Sequence, residues 1–196
     1  MTTSKLRLLV IVYFSLVVLL RFVPHASNMA GFCALALFAG CYLNAWQGMI
    51  VGFGAVAISD MIGQWMQIPG MGFYTRETML AVYLGTALPG VLGWLLSKMD
   101  WRFAAISGSL LSTLAFFVVT NFASWLDPLM SYPPTLAGLV QCYFAAIPFM
   151  GGTLAGTMAF SLAFFATHHW LESRAIALNC SQLAPNCSER RENKND

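Results

Sequence analysis

Charge is what this sequence has least of. Only 9% of its 196 residues are Asp, Glu, Lys or Arg, against about 25% in an ordinary soluble domain. Hydrophobic residues make up 58% of the whole sequence, and its mean hydropathy is +0.68. A soluble domain of this length could not hide so much apolar surface, so the chain reads as an integral membrane protein with several spans. Chemical signatures are missing as well. No glycine-rich loop ending in Lys-Ser/Thr is present, so the chain supplies no ATP-driven step of its own. No Gly-x-Ser-x-Gly elbow and no His-Glu-x-x-His pair occurs, and no Cys/His spacing fits a metal site. We therefore expect no enzyme, no metal and no cofactor. The net charge of +2 says little about partners, and no nucleic-acid partner is expected.

Cysteine is sparse and scattered. Cys33, Cys41 and Cys142 sit in apolar runs and read as small hydrophobes. Cys180 and Cys187 lie in a polar C-terminal segment, each within an Asn-Cys-Ser triplet that formally matches a glycosylation acceptor. That segment is expected in the cytoplasm, with its thiols reduced and the triplets there by chance.

What the sequence does hold is a series of apolar runs. The first, Leu6–Val23, follows Lys5 and Arg7 and closes at Pro24. It has some features of a signal peptide, but Arg21 stands where a cleavage region is usually uncharged, so it reads as helix one. Met29–Leu43 and Gly48–Met61 are rich in small residues and separated by Asn44, Trp46 and Gln47. A single helix over 29–61 would be about 50 Å long, well beyond a ~30 Å hydrocarbon core. Two short helices joined by a tight turn fit better. Ala30-x3-Ala34, Ala36-x3-Gly40 and Gly48-x3-Gly52 give them faces for close packing.

A loop over Gln64–Thr75 leads to helix four, Thr78–Ser97, where Pro89 predicts a kink. The charged turn Lys98–Arg102 precedes helix five, Phe103–Leu126. Pro148, Gly151 and Gly152 divide the last apolar stretch into a half-helix, Leu136–Ile147, and helix six, Phe149–Leu171. The fold expected is all-α: six transmembrane helices, with a possible extra half-helix before the last. Residues 1–171 form one transmembrane domain, and 172–196 a polar, disordered cytoplasmic tail.

Six spans place both termini on one side, with Lys5, Arg7, Lys98, Arg102, Arg174, Arg190, Arg191 and Lys194. The other side holds only Arg21 and Arg76. The positive-inside rule then sets both termini in the cytoplasm of a bacterial inner membrane. The polar and aromatic residues collect at the outer ends: Arg21, His25, Asn28, Ser59, Asp60, Gln64, Arg76, Glu77, Asn121, Trp125, Asp127 and Tyr132. A carboxylate at a membrane helix end is costly and is usually paired or functional. Asp60 therefore either bridges to Arg21 or Arg76, or serves a site. Arg21 either snorkels outwards or holds an anionic group. Asn121 and Trp125 are four apart on one helix face. Asn121 would bond a neighbouring helix or a ligand edge. Trp125 and Tyr132 would form an interfacial belt or stacking walls. Together Arg21, Asn28, Asp60, Arg76, Asn121, Trp125 and Tyr132 are the candidate solute-binding residues, in a pocket walled by helices one, three and five and the loop after helix five. In the competing reading these residues only pack, and the protein is a non-transport structural or assembly subunit.

Several stretches carry a resemblance. They are the ALALFAG run of Met29–Gly40, Ser59-Asp60, Phe116–Trp125 (FFVVTNFASW), Tyr132-Pro133, Thr135, Gly138-Leu139 and Cys142–Phe149 (CYFAAIPF). Over roughly residues 20–170 the chain resembles a set of uncharacterised bacterial six-helix membrane proteins. These are in turn similar to the S components of energy-coupling factor (ECF) vitamin transporters. The resemblance implies a subunit that captures a small solute, such as a vitamin or its precursor, from outside and delivers it with an ECF coupling protein and ATPase subunits. One feature departs from that pattern: S components often carry an Ala-x3-Ala docking face on helix one, and here helix one is rich in Leu and Val.

Overall fold

The computed structural model describes residues 2–23, 29–68, 71 and 75–192, with residues 178–192 described by backbone alone. Six α-helices and no strand are present among the described residues: α1 Thr3–Leu20, α2 Phe32–Tyr42, α3 Ala45–Trp65, α4 Arg76–Leu96, α5 Trp101–Leu126 and α6 Leu136–Glu192. Five of them are long and apolar enough to cross a membrane; α2 is not. The chain is a polytopic helical membrane protein.

The short helix is the centre of the bundle. At 11 residues, α2 rises only about 16 Å. Every residue from Phe32 to Gly40 is buried, and α2 touches all five other helices. A helix apolar on all sides has no face to give to solvent, so it is buried all round. The tight turn between α2 and α3 forms as the sequence suggests. Asn44 ends α2 and caps α3, its side-chain oxygen accepting from the Gln47 N–H at 2.8 Å. That cap lets α3 begin at Ala45 and run for 21 residues, longer than the apolar run alone indicated.

Small residues let α2, α3 and α4 approach backbone to backbone. A methyl group added at Gly40 would overlap the Gly90 carbonyl, and one at Gly48 would lie 2.7 Å from the Gly40 Cα. The Gly48-x3-Gly52 and Ala36-x3-Gly40 faces are thus used, and Gly90 beside Pro89 is their partner on α4.

The last helix departs from the sequence reading. Leu136–Ile147 is helical, but it continues through Pro148, Gly151 and Gly152 into one helix that ends at Glu192. A proline removes one ladder hydrogen bond and crowds the preceding turn. Here α5 packs along both sides of that point. The Cys142 thiol donates to Asn121 O at 3.4 Å and the Tyr143 hydroxyl to Val118 O at 2.8 Å. Beyond the proline, the Ser109 hydroxyl reaches Thr157 O at 3.4 Å. Contacts with one straight neighbour on both sides of Pro148 hold the helix together across it. The helix also continues through the segment read as a disordered tail, as far as Glu192.

The contacts define two ends of the bundle. Arg21 meets Ser59 and Asp60 at one end, where Thr75 also meets Asp127. At the other, Tyr42 lies 4.0 Å from the His168 ring and Trp101 stacks on His169 at 5.3 Å.

Candidate functional site

The polar residues singled out in the sequence gather at one end of the bundle but not in one pocket. Arg21, at the C-terminus of α1, places Nη2 2.7 Å from Asp60 Oδ1 and donates through Nη1 to the Ser59 hydroxyl at 2.7 Å. Ser59 passes its own proton to Val56 O, 2.8 Å away. The guanidinium lies 5.4 Å from the Phe32 ring centroid. Asp60 is 2% exposed. Of the two cations the sequence offered to Asp60, the structure selects Arg21. The pair ties the end of α1 to α3, and buried Asp60 Oδ1 meets the guanidinium as an ion-pair contact without a hydrogen bond of its own. A small hollow of about 170 Å³ lies beside it, lined by Arg21 itself together with Val17, Leu20, Met29 and Phe160 among others.

Arg76 is exposed in the first turn of α4 and lines neither this hollow nor the cleft described below. Asn28 lies outside the described residues. Trp125 donates its indole N–H to Pro133 O at 2.9 Å and leans on Phe122. That bond fixes the loop after α5. Tyr132 sits half-buried in the loop that follows α5. Neither aromatic lines the cleft described below.

Asp127 has a larger structural part than its sequence context suggested. It is 2% exposed. Its Oδ2 accepts from the hydroxyls of Thr75 and of Thr78, the latter at 2.9 Å, and its Oδ1 accepts from the Leu129 N–H at 2.9 Å. These bonds, led by Thr75, hold its carboxyl below the usual carboxylate range. Asp127 thereby joins the start of α4 to the end of α5.

A second cleft, about 280 Å³, opens between α4, α5 and α6 rather than among α1, α3 and α5. Phe116, Phe117 and Phe149 give it apolar walls, and Thr78, Thr120, Asn121, Ser124 and Thr153 give it polar ones. Among the sequence candidates, only Asn121 lines it. Each polar group on α5 is held by its own helix, one turn back. Thr120 donates to Phe116 O at 2.8 Å, Asn121 Nδ2 to Phe117 O at 2.8 Å, and Ser124 to Thr120 O at 3.0 Å. Thr153 does the same on α6, donating to Phe149 O at 3.3 Å. Thr113 is different. It lines the cleft, is 1% exposed, and its hydroxyl has no hydrogen-bond partner. Ser112, Thr157 and Ser161 nearby on α5 and α6 also bury unpartnered hydroxyls.

The sequence held a signal for this cleft: hydroxyl residues recur on α5 at Ser109, Thr113, Thr120 and Ser124, interleaved with Phe116 and Phe117. What it lacked was the facing element, since Thr153 and Phe149 come into register only when α6 is continuous across Pro148. Among the described residues, no group of three or more His, Cys, Asp or Glu side chains could hold a metal ion.

The fold and its clefts define a polytopic helical membrane protein. Within that class, residues 2–182 match the family model described as a family of unknown function (DUF6580), and the chain belongs to this family. No curated protein matches the chain, and no solved structure does.

Proposed function

We propose that this protein is a solute-capturing membrane subunit, S-component-like in role, that takes up a small molecule such as a vitamin or vitamin precursor. The observation that carries the reading is the cleft between α4, α5 and α6, with phenylalanine walls and a few directed polar groups. Ligand sites combine apolar walls and sparse polar groups in this way, and 280 Å³ stands near the lower end of their usual size. The cleft lies toward the end of the bundle that carries Arg21 and Arg76, which the positive-inside rule makes the outer one. With α2 counted as a sixth pass, since it runs from Phe32 beside Arg21 to Tyr42 beside His168, the proposal is capture from outside with both termini in the cytoplasm of the inner membrane. An ECF coupling protein with ATPase subunits is the proposed energy source, because the sequence carries no glycine-rich loop ending in Lys-Ser/Thr.

A second reading is a structural or assembly subunit that transports nothing. It is favoured by the Arg21–Asp60 pair and the Trp125–Pro133 bond, which commit three sequence-named residues to internal contacts. The two readings separate in one experiment. The protein is purified in mild detergent from its own host and analysed by native mass spectrometry for a retained solute and for stoichiometric partners. It is then screened by thermal shift against vitamins, nucleobases and metals. The capture reading predicts a retained or stabilising solute, with a coupling subunit in the same assembly. An empty protein that none of these compounds stabilises would overturn it in favour of the assembly role.

A further inference from the structure

The protons in the cleft narrow the class of solute. A hydroxyl has one proton to give and lone pairs with which to accept. Thr120, Ser124 and Thr153 give theirs to main-chain carbonyls, and Thr78 gives its own to Asp127. These groups therefore meet a ligand as acceptors. Asn121 spends one amide hydrogen on Phe117 O. Thr113, at the buried base, is the hydroxyl whose proton has no partner.

Charge is the second constraint. Among the described residues, none that lines the cleft is ionisable at neutral pH. The nearest carboxylate, Asp127, has both oxygens occupied by Thr75, Thr78 and Leu129. An ion desolvated here would have no counter-charge, which is a severe cost in a membrane-embedded site. The three phenylalanines supply flat apolar faces.

We propose that the cleft takes a neutral, flat, donor-rich solute: a ring with N–H or O–H groups along its edge and no net charge. The proposal rests on the capture reading and specifies its substrate class. Arg21, Asp60 and Arg76 have no part in recognition.

A matched set of small probes tests this on the full chain in nanodiscs, by calorimetric titration. Benzamide is neutral with two N–H donors, N,N-dimethylbenzamide is neutral with none, benzoate is an anion and benzamidinium is a donor-bearing cation. Benzamide is expected to bind at least tenfold more tightly than the other three. Thr120→Val and Thr113→Val keep the side-chain shape, and each is expected to weaken benzamide several-fold. Thr120 is only half-buried, so its variant keeps the test open should the Thr113 variant fail to fold. Tighter binding of benzoate or benzamidinium would leave capture standing and overturn neutrality. Equal binding of N,N-dimethylbenzamide would overturn the requirement for donors. No binding of any probe to a folded protein would overturn this proposal and count against the capture reading on which it rests.

Discussion

Arg21 and Asp60 stand 39 positions apart in the sequence and 2.7 Å apart in the fold. The pair closes α1 against α3. α1 otherwise holds the bundle through apolar contacts and the Tyr13 ring, which stacks on Phe164 at 4.1 Å. Removing one partner of a buried ion pair leaves the other uncompensated, at a cost of about 3–5 kcal/mol. The Arg21 side chain keeps 17% of its exposure, which favours the lower end of that range. Arg21→Gln is therefore expected to lower the unfolding temperature in detergent sharply. The double variant Arg21→Met with Asp60→Leu should recover more than half of the loss. A double variant as unstable as the sum of its singles would contradict this account of the pair.

Asp127 gives a pH dependence with a definite sign. Its carboxyl is held below the ordinary value of 3.8, chiefly by Thr75. A depressed folded value stabilises the native state fully above the unfolded value, and the benefit is lost as pH falls through the folded one. Wild type and Asp127→Asn should thus differ by a constant amount near neutrality and converge below about pH 4. Thermal melts from pH 7 down to pH 3 would show this. Curves that stay parallel to the lowest pH would refute it.

Gly40 and Gly151 make a matched pair for packing. A methyl group at Gly40 meets the Gly90 backbone, whereas one at Gly151 meets nothing within 4 Å. Overpacking a tight contact costs about 1–3 kcal/mol or more. A helical Gly→Ala at an open site gains up to about 1 kcal/mol. Gly40→Ala should lower the melting temperature and Gly151→Ala should hold or raise it. Equal effects would show that the α2–α4 contact is looser than described.

Ser161 buries a hydroxyl with no partner. An unmade hydrogen bond of this kind costs about 1–3 kcal/mol, so deleting the group removes a penalty. Ser161→Ala should be neutral or stabilising in a thermal melt. A clear loss of stability would instead reveal a bridging water that the hydroxyl holds.

The helices were legible because their determinants are local. Long apolar runs, the Asn44 interruption and the small-residue spacing of Gly48 and Gly52 each speak within a few residues. The end of the bundle at which the polar residues gather was also readable, from the placement of charge between the runs. The site was only partly so. For Asp60 the sequence offers a bridge to Arg21 or Arg76 beside a binding role, and which cation comes near depends on how the helix ends meet. For Trp125 it offers an interfacial belt or a stacking wall, and the indole bond to Pro133 depends on how the loop folds. Pro148 and its glycines weaken a helix locally, and the contacts with α5 that offset this are non-local. That one difference hid the cleft, since its far wall is the turn around Phe149 and Thr153.

The central claim is that the α4–α5–α6 cleft holds a solute, and filling the cleft tests it most directly. Ala146 lines the cleft and is half-buried, so Ala146→Trp would place an indole where the solute is expected. Native mass spectra of wild type and variant, purified identically from the native host, would be compared for a non-lipid adduct, with thermal melts to confirm the fold. The account predicts an adduct on the wild type that is absent from a folded Ala146→Trp. An adduct that persists in the variant would place binding elsewhere, and no adduct on either protein would contradict the claim of a solute held in this cleft.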